Sequence, residues 1–235
     1  MNSASATLEQ MGDKPTALPR AQPSGATLKS LPQVLLDRRA TSHFKADPVP
    51  DEYLEAILRL GAQAPSGYNL QPWRFVVVRD EENRKRLRRA AMDQEKVSEA
   101  PVVLIALGMK DSSAQLEEVL GEGARRGLGK PESVDKTARS ARKFFETIPS
   151  DVWVNRHVMI AFTTLMLAAE AYGFDTAPME GFDPKAVKRE FGIPDEAEVV
   201  ALLAIGRRRE PDKAYPGRFP LERIVFSEHF GTPWQ

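Results

Sequence analysis

The segment from Asp151 to Tyr172 constrains the fold of this chain most. It carries Val152, Met159, Ile160, Phe162, Leu165, Met166 and Ala169, so that a helix built from it is apolar on most faces. A helix apolar nearly all round has to be buried. Asn155, Arg156 and His157 interrupt the apolar run, which reads as too short and too polar for a membrane span. The rest of the chain is therefore expected to wrap around this helix. With 235 residues there is enough chain for one large domain, or for one subunit of an intertwined dimer.

Periodicity and punctuation predict the other elements. Residues 31–39 read as a short helix with a basic end. Leu54, Ile57, Leu58 and Gly61 recur at helical spacing, with Asp51 as the expected N-cap and Pro65 beyond the end. Residues 73–79, 101–108 and 198–206 are rich in β-formers and predict buried strands, and 174–180 a shorter extended piece. Residues 81–92 predict a charged helix, and 112–146 helices broken at Gly127, Gly129 and Pro131. Asp183-Pro184 opens a further helix that Gly192 closes, and Gly173 caps the central one. Strands and helices intermix, so one central sheet with helices around it is expected.

The ends read differently. Residues 1–27 are rich in Ala, Ser, Pro and Gln, lack the pattern of a signal peptide, and predict a flexible tail ahead of a domain spanning 28–220. Residues 221–235 predict an extended tail. Ile224, Val225, Phe226 and Trp234 would be wasted on solvent there, so this extension is expected to pack on a neighbouring subunit.

Composition narrows the chemistry. The chain has no cysteine, which removes disulfides, Fe–S clusters, thiolate metal sites and thiol catalysis, and suits a reducing cytoplasm. Its three histidines, His43, His157 and His229, show no metal spacing, so no metal site is expected. Lys and Arg balance Asp and Glu at 33 each, so no long-range field recruits nucleic acid or an anionic membrane. Redox work by such a chain needs a borrowed organic cofactor.

Four groups of residues suit one. Arg38 and Arg39 offer two planar donor forks for a phosphate, or simply complement a helix C-terminus. Ser66, Asn69 and Gln71, held between Pro65 and Pro72, supply hydroxyl and amide groups for a ring edge of carbonyls and N–H groups, or ordinary turn chemistry. Pro178-Met179-Glu180-Gly181 allows close backbone approach at the glycine, or is a simple turn. Arg207, Arg208 and Arg209, with Arg218, complete a phosphate clamp or form a solvated surface. There is no dinucleotide fingerprint, phosphate loop or catalytic triad.

Their order is what carries information. Arg38-Arg39-Ala40-Thr41-Ser42-His43-Phe44, then Pro65-Ser66-Gly67-Tyr68-Asn69-Leu70-Gln71-Pro72-Trp73, then Ala100-Pro101-Val102-Val103, Pro178-Met179-Glu180-Gly181-Phe182 and Ala204-Ile205-Gly206 together resemble the nitroreductase family from about residue 31 to 224. The resemblance implies an α+β fold with a mostly antiparallel sheet flanked by helices. It implies an intertwined homodimer with exchanged C-terminal tails and FMN bound at the subunit interface. Arg38, Arg39 and Arg218, with Arg207, would then hold the phosphate. Ser66, Asn69 and Gln71 would reach the flavin from the other subunit, and Pro178–Gly181 would face the ring near N5. NADH or NADPH would give hydride to the flavin, and a small electron-poor acceptor, a quinone or nitroaromatic, would take it in a ping-pong cycle. No side chain need act as acid or nucleophile. The family usually has serine where this chain has Ala40, and Arg or Lys where it has Ser42. The lost hydroxyl at Ala40 removes a contact worth ~1 kcal/mol. Phe144 and Phe145 fit a lid that selects the acceptor, or simply fill the core. Two rival readings keep the scaffold but change the role: another flavin reaction (reductive dehalogenation, flavin fragmentation or dehydrogenation), or flavin storage without turnover.

Overall fold

The structure is a computed structural model, and it describes residues 18–211 and 214–234. Asp212 and Lys213 lie outside the described residues, as do residues 1–17, which make up most of the segment expected to be flexible. Residues 18–27 form a small hairpin. Ala21 bridges to Thr27, Gly25 turns at φ 80°, and the Tyr172 hydroxyl donates to the Pro19 carbonyl.

The chain then forms α1 (Leu31–Asp37), α2 (Asp51–Gly61), β1 (Trp73–Val78), α3 (Glu81–Ala90) and α4 (Glu95–Glu99). It continues through β2 (Val102–Met109), α5 (Leu116–Arg125), α6 (Val134–Phe145) and α7 (Ser150–Ala171). It ends with β3 (Asp175–Met179), α8 (Pro184–Phe191), β4 (Ala197–Gly206) and α9 (Leu221–Ile224). The local signals act as expected for α8, where the Asp183 carboxylate accepts from the Lys185 and Ala186 amides and Gly192 closes the helix at φ 62°. For α2 the cap is Pro50. Asp51 is the first helical residue, and its carboxylate instead pairs with Arg79.

The four strands run in the order β1-β2-β4-β3, and each neighbouring pair is antiparallel. The expected mixed α+β architecture is therefore present. Alternate residues of each central strand serve opposite faces of the sheet. Leu104, Ala106, Leu203 and Ile205 join α2 and α7 in one apolar cluster. Val103, Ile105, Leu202 and Ala204 join α3, α4 and α8 in the other. A sheet buried on both faces has no use for polar alternation, and this is why β2 and β4 read as continuous apolar runs.

α7 lies against the sheet through β1, β2, β3 and β4 and against α2. At 22 residues it has the length and apolarity to cross a membrane, which corrects the reading of its sequence as too short and too polar. Packing within the chain accounts for one side of this helix, while Val152 and Ile160 remain exposed. Val154, Val158, Ala161 and Leu165 are fully buried, and a Cβ placed on Gly108 of β2 would come within 2.0 Å of Val154 Cγ1. Glycine at that position sets how closely helix and sheet approach. At the far end of α7, the buried Glu170 carboxylate takes a 2.6 Å contact from Lys29, which also reaches Asp37.

Candidate functional site

The segment following α1 decides where the arginine pair goes. Ala40 forms a parallel bridge with Thr176, and the Thr41 amide donates to the Thr176 carbonyl. Phe44 bridges to Arg208, with Lys45 donating to the Arg207 carbonyl and Arg209 to that of His43. Residues 40–45 thus add an irregular strand at the β3 edge. Arg38 and Arg39 are left at the N-terminal end of β3, beside the C-terminal end of β4 where Arg207 sits.

The run Arg207-Arg208-Arg209 divides by partner. Arg208 donates through Nε and the backbone amide to the buried Asp175 carboxylate at 2.7 Å, and Arg209 faces Glu99. Arg207 lies over the Phe174 ring at 6.0 Å. Arg38, Arg39, Arg207 and Arg218 have no carboxylate partner among the described residues. Two of these charges converge. The Arg39 and Arg218 guanidinium carbons lie 4.6 and 5.3 Å from the centroid of the Tyr215 ring. Like charges are held together here with no acid to neutralise them, and an anionic ligand would supply that neutralisation.

The Pro178–Gly181 stretch is the other end of β3. Pro178 and Met179 pair with Leu203 and Leu202, and Gly181 lies just past the strand. Its carbonyl accepts from Gln94 Nε2 at 2.8 Å, and a Cβ there would meet the Met92 sulfur at 3.5 Å. Met92 and Asp93 both have positive φ, and Met92 is exposed. Close by in sequence, Lys96 of α4 has no hydrogen-bond or ion-pair partner among the described residues, and burial pushes its ammonium below the usual lysine range. The sequence reading passed over Lys96 because a single lysine in a charged stretch carries no motif.

The amide-bearing loop lies elsewhere. The Ser66 hydroxyl accepts from the Gln71 amide at 2.9 Å, and Gln71 Nε2 reaches the Asn69 carbonyl. Tyr68, Asn69 and Gln71 all have positive φ, a costly backbone for side chains other than glycine. Trp153 and His157 of α7 press on Gly67, where an added Cβ would lie 3.2 and 3.3 Å from them. Phe145 stacks edge-on between Tyr68 and Trp153, and with Trp153 and Arg142 it lines a cavity of about 500 Å3. Phe144 is exposed, so the two phenylalanines do not both fill the core.

The sheet order separates this loop from the arginines. The loop precedes β1 at one edge, whereas the arginines and Gly181 flank β3 at the other. Three strand spacings, roughly 14 Å, lie between those edges. One chain alone therefore brings Arg39 and Arg218 together, and places the arginines and Pro178–Gly181 at the two ends of β3, whereas Ser66, Asn69 and Gln71 lie across the sheet. Ala40 and Ser42 lie on the exposed side of the added strand.

Two other features are accounted for locally. His43, Glu95 and Glu99 offer ligand atoms within 4.8 Å of one another, a grouping the sequence spacing did not reveal. The Glu99 carboxylate already accepts from the Phe44 amide and faces His43 and Arg209, which makes it an anchor for the added strand. A cleft of about 780 Å3 beside Pro48 and Pro101 is walled by Arg79 and Lys85, each paired with an acid.

The fold is that of nitroreductase-like crystal structures. A protein of Exiguobacterium sibiricum, solved in complex with FMN, superposes with a TM-score of 0.76 at 26% identity, over 85% of this chain and 98% of that one. The sequence pattern of the nitroreductase family matches residues 35–207, and the chain belongs to that family. It is 40% identical over 195 residues to a Thermus thermophilus protein named NADH dehydrogenase, covering 81% of this chain and 92% of the relative. It is 27% identical to the oxygen-insensitive NAD(P)H nitroreductase of Enterobacter cloacae, covering 82% and 96%.

Proposed function

We propose that this chain is an FMN-dependent NAD(P)H oxidoreductase that reduces small electron-poor acceptors, quinones and nitroaromatics, and that it works as a homodimer. The observation that carries the reading is the set of uncompensated arginines at the N-terminal end of β3, with Arg39 and Arg218 meeting on one tyrosine ring. The donor set fits FMN. Guanidinium forks suit its phosphate, and β3, which runs from beside Ala40 towards Gly181, offers an edge along which the rest of the molecule would lie.

When bound, FMN would supply the redox chemistry, hydride transfer through N5 between a nicotinamide and the acceptor, in a ping-pong cycle. The residues of the chain bind and orient. Arg38, Arg39 and Arg218, with Arg207, hold the phosphate. Ala40 and Ser42 line the approach to it without adding charge. Met179, Glu180 and Gly181 border one edge of the ring, with Pro178 holding the strand that presents them. Lys96, partly buried and unpaired, would offer a positive charge to that border. Pro65, Ser66, Asn69 and Gln71 come from the second subunit. The opposite-edge placement of that loop supports this assignment, and so do the exposed apolar side chains Leu31, Leu35, Leu36, Ile160 and Trp234, which a second copy would cover. Phe145, beside Trp153, closes the acceptor slot, and Phe144 covers it from the solvent side.

The visible absorption spectrum of purified protein, recorded before and after anaerobic NADH or NADPH, tests the reading. Bound flavin that bleaches with a nicotinamide and recovers on adding a quinone or nitroaromatic is the expected result. Protein that takes up no FMN refutes the site. Bound flavin that neither nicotinamide reduces refutes the activity and favours storage.

A further inference from the structure

We propose that Tyr215 is a positioning residue of the phosphate clamp, its ring gathering the Arg39 and Arg218 guanidiniums so that both charges serve one phosphate. The inference rests on the flavin reading above. Arg39 enters from the end of α1 and Arg218 from the loop after β4, so nothing in the local chain holds them together. Each of their other hydrogen bonds goes to a nearby backbone carbonyl: Arg39 to Leu36 and Arg38, Arg218 to Gly217. Laid end to end, the two ring distances put the guanidinium carbons at most about 10 Å apart. Without a bound anion the two cations repel, and each would be free to swing into solvent.

The tyrosine ring opposes that. Its negative π face attracts a guanidinium that lies over it, and here it attracts two. The result is preorganisation: two flexible side chains are ordered before the ligand arrives, so less conformational entropy is lost on binding. Tyr215 is itself exposed and donates nothing to the phosphate in this account. The contribution is the aromatic face, not the hydroxyl. That distinction makes the idea testable.

The experiment measures dissociation constants for FMN and for riboflavin, by flavin fluorescence quenching, on wild type, Tyr215→Phe, Tyr215→Leu and Tyr215→Ala. Riboflavin has the ring and ribityl chain but no phosphate. Two exposed cation–π contacts correspond to about a five- to thirtyfold change in affinity. Tyr215→Leu and Tyr215→Ala should weaken FMN by about that factor and leave riboflavin within twofold. Tyr215→Phe should keep FMN within twofold, because the π face remains. FMN affinity unchanged in Tyr215→Ala overturns the inference. Equal losses for FMN and riboflavin also overturn it, because they mean that the loop, not the phosphate clamp, was disturbed. Loss in Tyr215→Phe would assign the role to the hydroxyl and overturn the aromatic account. Failure of the flavin reading looks different: wild type then binds neither flavin, and the inference falls with it.

Discussion

Gly108→Ala tests how the central helix is seated. The added methyl would lie 2.0 Å from Val154 Cγ1 and 3.1 Å from Val158 Cγ2. Ordinary carbon contacts lie near 3.5–4.0 Å, so about 1.5 Å has to be found. Val154 is a poor place to find it. It is fully buried and β-branched, with one strongly preferred rotamer in a helix. Either α7 lifts from β2 or the side chain leaves its well, at roughly 3 kcal/mol, the top of the overpacking range. Alanine's lower backbone entropy offsets about 0.5–1 kcal/mol of that. The clash wins, for a net loss of about 2 kcal/mol. In a chain of this size the melting temperature should fall by about 4–8 °C, read by calorimetry or thermal circular dichroism. Val154→Ala alone loses two buried methyls, about 1.6 kcal/mol before any cavity term. In the double variant the methyl added at Gly108 occupies space that Val154 vacated. The two losses should therefore fall short of adding by about 1–2 kcal/mol. A melting point for Gly108→Ala within 2 °C of wild type, or strict additivity in the double variant, would refute the close seating of α7 on β2.

Three further outcomes are expected. Lys29→Met strands the buried Glu170 carboxylate and should cost about 2–3 kcal/mol in urea unfolding, below the fully buried range because Lys29 is partly exposed. Burial works against the Lys29 ammonium, but the Glu170 and Asp37 carboxylates outweigh it and raise its pKa. This stabilisation is thus complete below pH 10.5 and is lost as pH rises through the higher folded value; in Lys29→Met that alkaline loss should be missing. Lys96 shifts the other way. Its charge is a burden on the fold below its lowered pKa, and stability recovers as pH rises towards the unfolded value, so Lys96→Met should unfold at higher urea at neutral pH yet bind FMN more weakly. A variant that loses stability and keeps FMN affinity would contradict that placement. Ala40→Ser restores a hydroxyl on the exposed side of the added strand and should tighten FMN about fivefold, for ~1 kcal/mol, by equilibrium titration.

The sequence made the layers legible where burial is uniform. β2 and β4 announce themselves because both faces of them are covered, and α7 because its apolar residues lie on nearly every side, although Val152 and Ile160 stay exposed in the single chain. α8 was legible for a different reason: Asp183 and Gly192 carry their own start and stop signals. What stayed hidden depends on contacts between distant segments. The strand of residues 40–45 has no apolar pattern and exists because Thr176, Arg207 and Arg208 offer it partners. The five-residue α4 is too short to show a period, and Lys96 was missed with it. In the proposed site, motif order singled out the arginines and the Pro178–Gly181 strand as candidates. It could not say which arginines in the run at 207–209 are already neutralised, because Asp175 and Glu99 are remote in sequence. Tyr215 carried no signal either, since stacking on two guanidiniums leaves no trace in local composition.

The placement of the amide loop and the arginine cluster at opposite edges of the sheet has a genetic consequence. With the homodimer proposed above, every catalytic centre is mosaic, taking its phosphate grip from one polypeptide and its ring-edge amides from the other. Two alleles, each inactive alone, one damaged at Arg38 and the other at Asn69, would then rescue each other when co-expressed. In the mixed pair both injuries collect in a single centre, and its twin is left whole.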